Sequence, residues 1–153
     1  MKNQRGVSIV ATALAVLWFA GADRADACVC RGPKNAKEEA KVFRENRAKA
    51  VVIFVGRVVS LEVIKDAPPG WPRHTAATFS ILRGWKGISS PFVVIDSASN
   101  CAMAFEVGQE VLVFGYGSPP EASVCVSGYS RRRPEDIKQI EQRLGTPSWR
   151  PKS

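Results

Sequence analysis

Hydrophobic positions along this chain follow three patterns: one mainly apolar run near the start, short β-branched and aromatic stretches in the middle, and a helical rhythm on either side of those stretches. Ala36 to Ala48 is rich in Ala, Lys and Glu and follows a Gly32-Pro33 turn. Asn35 is placed as its N-cap with Glu38 three residues on, so the segment predicts a helix. Only Ala40, Val42 and Phe43 offer it apolar cover, which predicts a surface helix packing one narrow stripe inward. From Ala50 to Leu61 the chain reads AVVIFVGRVVSL, a long strand with Gly56 as a bulge or bend. Prolines and Gly70 make Lys65 to His74 a loop. Thr75 to Trp85 is strand two, Pro91 to Asp96 strand three, Ala102 to Glu106 a short strand four, Glu110 to Tyr116 strand five, and Ala122 to Val126 a sixth. Arg131 to Gly145 predicts a closing helix. Pro134 stands in its first turn, Glu135 and Asp136 near its positive end, Ile137, Ile140 and Leu144 on one face, and Gly145 as the stop. Thr146 to Ser153 is expected to be a flexible tail.

This order of elements predicts a mainly β domain, a small OB-type Greek-key barrel of five to six strands with an N-terminal and a C-terminal helix. The same composition describes a sandwich equally well. Residues 1–27 stand apart from it. Lys2 and Arg5 precede the apolar run Val7 to Ala20, and a short polar stretch ends in small residues, which is the layout of a cleaved secretory signal. The run falls short of the roughly 20 apolar residues a membrane-spanning helix needs. Ala20-Gly21-Ala22 and Ala25-Asp26-Ala27 both satisfy the small-x-small rule for cleavage, and the second, which is favoured, leaves Cys28 first. Asp26 fits a lipoprotein signal badly, so lipidation of Cys28 is the lesser reading. The expected destination is secreted or periplasmic, and the domain proper is expected over residues 28–145.

Export changes how the cysteines are read. Cys28, Cys30, Cys101 and Cys125 all follow the signal, and an even count in an exported chain implies two disulfides. Four cysteines allow three pairings. Joining Cys28 to Cys30 would strain a very small ring, whereas residues two apart in an extended strand point the same way, so each is expected to tether the N-terminal segment to the distant body. In the chain-entropy model loops this long make each bridge worth at most roughly 4–5 kcal/mol. A structural zinc site is disfavoured because Cys-x-Cys with two lone partners lacks paired knuckles and His74 is the single histidine. Net charge is +8, and loss of residues 1–27 removes three cations and two anions, leaving +7 and a basic domain.

Cys28-Val29-Cys30 directly after a signal, Phe54-Val55-Gly56 in the first strand, Trp85-Lys86-Gly87 after the second, Cys101 after the third and Cys125 after the fifth together resemble the netrin-like domains. Within these the chain is most similar to the N-terminal domain of the tissue inhibitors of metalloproteinases. The resemblance spans Cys28 to about Gly145 and implies the pairs Cys28–Cys101 and Cys30–Cys125. The family's third bridge within this domain has no cysteines here, and no counterpart of the animal inhibitors' C-terminal domain is seen. In such inhibitors the free α-amino group and carbonyl of the first cysteine chelate the target's catalytic zinc, and the next side chain enters the specificity pocket. The resemblance therefore implies Cys28 as a ligand to a foreign zinc only, Val29 as the inserted side chain, Cys30 as its second tether, and Ser99 and Asn100 as flanking contacts. The chemistry is sound: an amine with an α-carbonyl closes a five-membered chelate, and an α-amino pKa near ~8 makes deprotonation cheap.

A second reading keeps Cys28-Val29-Cys30 purely structural and gives function to the barrel face or basic surface of an exported protein- or glycan-interaction module. Arg131, Arg132 and Arg133, with Lys138 and Arg143, would then meet an anionic glycan or membrane surface, although such clusters are most often solvated faces. Trp71 of the proline-rich loop is expected to fold back onto the barrel, with an exposed contact role as the lesser reading. Nucleic acid is not expected as a partner of an exported chain whose aromatics occupy core-like positions. No cofactor is implied and no enzyme is expected. His74 has no nucleophile beside it, no Gly-x-Ser-x-Gly elbow occurs, and Asp96, Glu106 and Glu110 read as ordinary strand-end carboxylates.

Overall fold

The computed structural model describes residues 33–63, 75–97, 103–122 and 133–151. In chain order they form α1 (Ala36–Lys49), β1 (Val52–Val63), β2 (Thr75–Lys86), β3 (Phe92–Ser97), β4 (Glu110–Gly115) and α2 (Pro134–Leu144). α1 begins where the capping pattern places it. Asn35 Oδ1 accepts the Glu38 N–H at 2.9 Å, and the Glu38 carboxylate accepts the Lys34 N–H at 2.8 Å. Pro134 opens α2 and Gly145, at φ +80°, closes it.

The strands make one antiparallel sheet in the order β3-β2-β1-β4. β1 is central and buried on both sides over its first half, which explains its continuous apolar run. Val52, Phe54 and Val58 face one core with Phe79 and Ile81 of β2, Ile95 of β3 and Val111 and Val113 of β4. Ile53 and Val55 face a second core with Leu112 and Phe114 of β4. Both helices lie on that second face, α1 through Phe43 and α2 through Ile137, Ile140 and Leu144. In the first core Phe54, Phe79 and Phe105 stack edge to face at 5.3 and 5.1 Å. The register between β1 and β2 slips between Val55 and Gly56, the bulge expected at that glycine.

Three expectations are corrected. Met103 to Glu106 forms no strand. Met103 and Phe105 are buried while Ala104 and Glu106 are exposed, so the period-two pattern is real, yet no ladder among the described residues includes it. The segment is anchored by the Ser97 hydroxyl, which donates to the Met103 carbonyl at 2.8 Å. Second, the sheet is a four-stranded one that is not closed, rather than a ring of five or six strands. Among the described residues β3 and β4 share no ladder; their side chains meet in the first core, and the backbone link is Glu121, which forms isolated bridges to Asp96 and to Tyr116. Of the sixth expected strand only Ala122 is described; it is buried and outside any strand. Third, the stretch after Gly145, expected to be loose, is tied down: Gly84 and Trp149 exchange both backbone hydrogen bonds at 3.0 Å, and Trp149 packs against the first core. Gly84 permits this approach, since a β-carbon there would lie 3.3 Å from that of Trp149 and 2.7 Å from Ile88.

Candidate functional site

Cys28, Val29, Cys30, Ser99, Asn100, Cys101, Cys125, Arg131 and Arg132 lie outside the described residues, as do His74 and Trp71. What is described is the framework on either side of them. Met103, two residues after Cys101, and Ala122, three before Cys125, are both buried in the first core, and the Met103 N–H points to the Ala122 carbonyl at 3.5 Å. The chain two residues past Cys101 and the chain three residues short of Cys125 are therefore held together at Met103 and Ala122. Ser97, the last residue of β3, is fully buried there too, and Asp96 exchanges hydrogen bonds with the Pro120 carbonyl and the Ala122 N–H at 3.0 and 3.1 Å. Arg133 stands before α2, largely exposed, with Asp136 at 3.6 Å.

Among the recesses formed by the described residues elsewhere on the body, two gather charged side chains from both the sheet and a helix. A cleft of about 610 Å³ runs between β2, the start of β4 and α2, lined by Arg83, Gln109, Glu110, Pro134, Ile137, Lys138 and Glu141. Arg83 Nε donates to Glu141 Oε1 at 2.6 Å and its Nη2 to Glu110 Oε1 at 3.1 Å. Burial pulls the guanidinium toward losing its proton, but hydrogen bonds and attraction from Glu141 and then Glu110 outweigh it, so its pKa lies above the ordinary arginine value. One cation thus locks three elements together, and both carboxylates are engaged by it. The Gln109 side-chain oxygen is buried beside this cluster with no partner among the described residues.

The second recess, of about 430 Å³, lies where the last turns of α1 meet the end of β2 and is lined by Arg44, Arg47, Ala48, Trp85 and Lys86. Lys86 Nζ donates to the carbonyls of Arg47 and Ala48 at 3.1 and 2.8 Å. Trp85 Nε1 donates to the Gly145 carbonyl at 2.7 Å, linking the indole to the end of α2. Among the described residues no group of three His, Cys, Asp or Glu side chains is arranged to hold a metal ion, and no helix is long and apolar enough to cross a membrane.

Neither recess was legible in the sequence. Glu110, read as an ordinary strand-end carboxylate, shares Arg83 with Glu141, and Arg83 and Glu141 are 58 residues apart along the chain. Arg44 and Arg47 do lie one turn apart, a spacing that marks a common helix face, but Trp85 and Lys86 join them only through the fold. No family model matches the chain, and no curated protein matches it either.

Proposed function

We propose that this chain is an exported, disulfide-stapled binding domain of netrin-like architecture, without enzymatic activity, that inhibits a zinc metalloprotease through the free N-terminus of Cys28. The observation that carries the reading is the shared anchorage of Met103 and Ala122. Cys28 and Cys30 stand about 7 Å apart when extended, and each disulfide spans up to about 7 Å between α-carbons, so their two partners must lie within roughly 20 Å of each other. Cys101 and Cys125 are two and three residues from anchors joined by a backbone contact, a short spacing that supports partners at such a separation. The bridges Cys28–Cys101 and Cys30–Cys125 are those the resemblance implies. They would hold Cys28-Val29-Cys30 extended against the end of the sheet and so lower the ordering cost of binding. The amine and carbonyl of Cys28 then replace the water on the target's zinc, Val29 enters a shallow apolar pocket, and Ser99 and Asn100 flank it. Glu121, in contact with both edge strands, supports a barrel-like closure at this same end.

The test is a zinc endopeptidase inhibition assay on the processed protein and on a form carrying one added alanine before Cys28. The extended form should lose at least about 100-fold in potency while its circular dichroism is unchanged. Equal inhibition by both forms ends the chelation reading, as does a mature terminus at Asp23.

A second reading, an exported interaction module acting through its basic surface with Cys28-Val29-Cys30 only structural, is favoured by the cation-lined recess at the end of α1. Arg131, Arg132 and Arg133 belong to the same reading as contacts for an anionic glycan or membrane surface.

A further inference from the structure

The recess at the end of α1 carries three positive side chains, Arg44, Arg47 and Lys86, and no carboxylate in its lining. Arg83, Arg133 and Arg143 each have an acidic partner within 3.6 Å or less. Arg44 and Arg47 have none among the described residues. A blander account exists, because cations at the C-terminal end of a helix complement its dipole, and Lys86 does contact the last carbonyls of α1. A helix terminus carries only about half a negative charge, however, so more than two of the three positive charges stay unmatched.

The neighbouring apolar groups narrow the ligand. Trp85 is half-buried, and its one polar atom is taken up by the Gly145 carbonyl, so the indole presents a held, apolar surface to the recess. Val51, 42% exposed, lies between the end of α1 and β1, and its carbonyl oxygen is close to Gly87, the residue after Lys86. Cations beside an indole, with an exposed valine close by through the backbone at Gly87, suit the boundary between headgroups and acyl chains. A hydrated polysaccharide would use the charges but leave Val51 in water.

We propose that this surface binds an anionic phospholipid bilayer, Arg44, Arg47 and Lys86 engaging headgroup phosphates while Trp85 and Val51 seat at the headgroup boundary. The proposal rests on the second reading above, that of a module acting through its basic surface.

The test is co-sedimentation of the purified protein with vesicles of 30% phosphatidylglycerol in phosphatidylcholine at low ionic strength, against pure phosphatidylcholine. Binding should require phosphatidylglycerol. The double substitution Arg44→Gln/Arg47→Gln should weaken it about 30-fold, the combined effect of two cations near a charged surface. Lys37→Gln/Arg57→Gln removes the same charge elsewhere and should change it less than about threefold. Brominated acyl chains should quench Trp85, so quenching should be lost in Trp85→Phe and kept in Trp149→Phe. Equal weakening by both double variants overturns the site in favour of net charge alone. A soluble sulfated polysaccharide that binds more tightly than vesicles through Arg44 and Arg47 overturns the lipid assignment. Vesicle binding unaltered in Arg44→Gln/Arg47→Gln overturns this site but leaves the basic-module reading standing, whereas no binding to any anionic surface overturns both.

Discussion

Replacing Arg83 by methionine keeps most of the stem packing and removes the charge that joins β2, β4 and α2. The contact to Glu141, at 2.6 Å between side chains 34% and 23% exposed, is charge-assisted and only partly wet, and is worth about 1.5 kcal/mol. The contact to Glu110, longer at 3.1 Å and with a carboxylate 38% exposed, lies nearer the surface range, about 0.5 kcal/mol. Arg83→Met should therefore cost about 2 kcal/mol, read from urea unfolding monitored by circular dichroism. Double-mutant cycles should divide this unequally, with the coupling to Glu141→Gln about three times that to Glu110→Gln. The direction of the pKa shift adds a second check. A guanidinium raised above its ordinary value contributes its stabilisation fully below that value and loses it only as pH climbs through the higher folded one. The gap between wild type and Arg83→Met should thus stay constant from neutral pH to pH 10. A coupling larger for Glu110 than for Glu141, or a total cost below about 0.5 kcal/mol, would refute the view of Arg83 as a three-element lock.

Two further outcomes follow from close approaches. Gly87 has φ +65°, and a β-carbon there would lie 2.1 Å from the Val51 carbonyl oxygen, so Gly87→Ala should lower stability by at least about 2 kcal/mol in the same urea assay. Truncation after Gly145 removes the paired hydrogen bonds of Trp149 and its packing on the first core. It should cost about 2–3 kcal/mol and speed amide exchange at Gly84, measured by hydrogen-exchange mass spectrometry.

Local chemistry made much of this fold legible. Asn35 and Glu38 marked α1, Pro134 with Ile137, Ile140 and Leu144 marked α2, and the β-branched run through Gly56 marked β1, because caps, periodicity and bulges are written within a few residues. The same alternation misled at Met103 to Glu106, since inward and outward side chains record burial but not whether a neighbouring strand is present to pair. Trp149 was missed as an anchor because its partner, Gly84, lies 65 residues back and shows only as a missing side chain. Charge clusters are the least legible of all. Nothing periodic connects Arg83 to Glu110 and Glu141, or Arg44 to Trp85. The candidate inhibitory residues Cys28, Val29, Cys30, Ser99 and Asn100 fall outside the described residues, so they stand on motif and spacing, supported by the framework around Met103 and Ala122.

The central position of β1 has a consequence for how the domain comes apart. Odd and even residues of its first half belong to different interiors, so this stretch works as a party wall between two rooms, and neither room can be emptied while the wall stands. Damage on one side, such as Phe54→Ala, should reach Phe43 and Leu144 on the other through a backbone they share, and both aromatic environments should vanish in one transition.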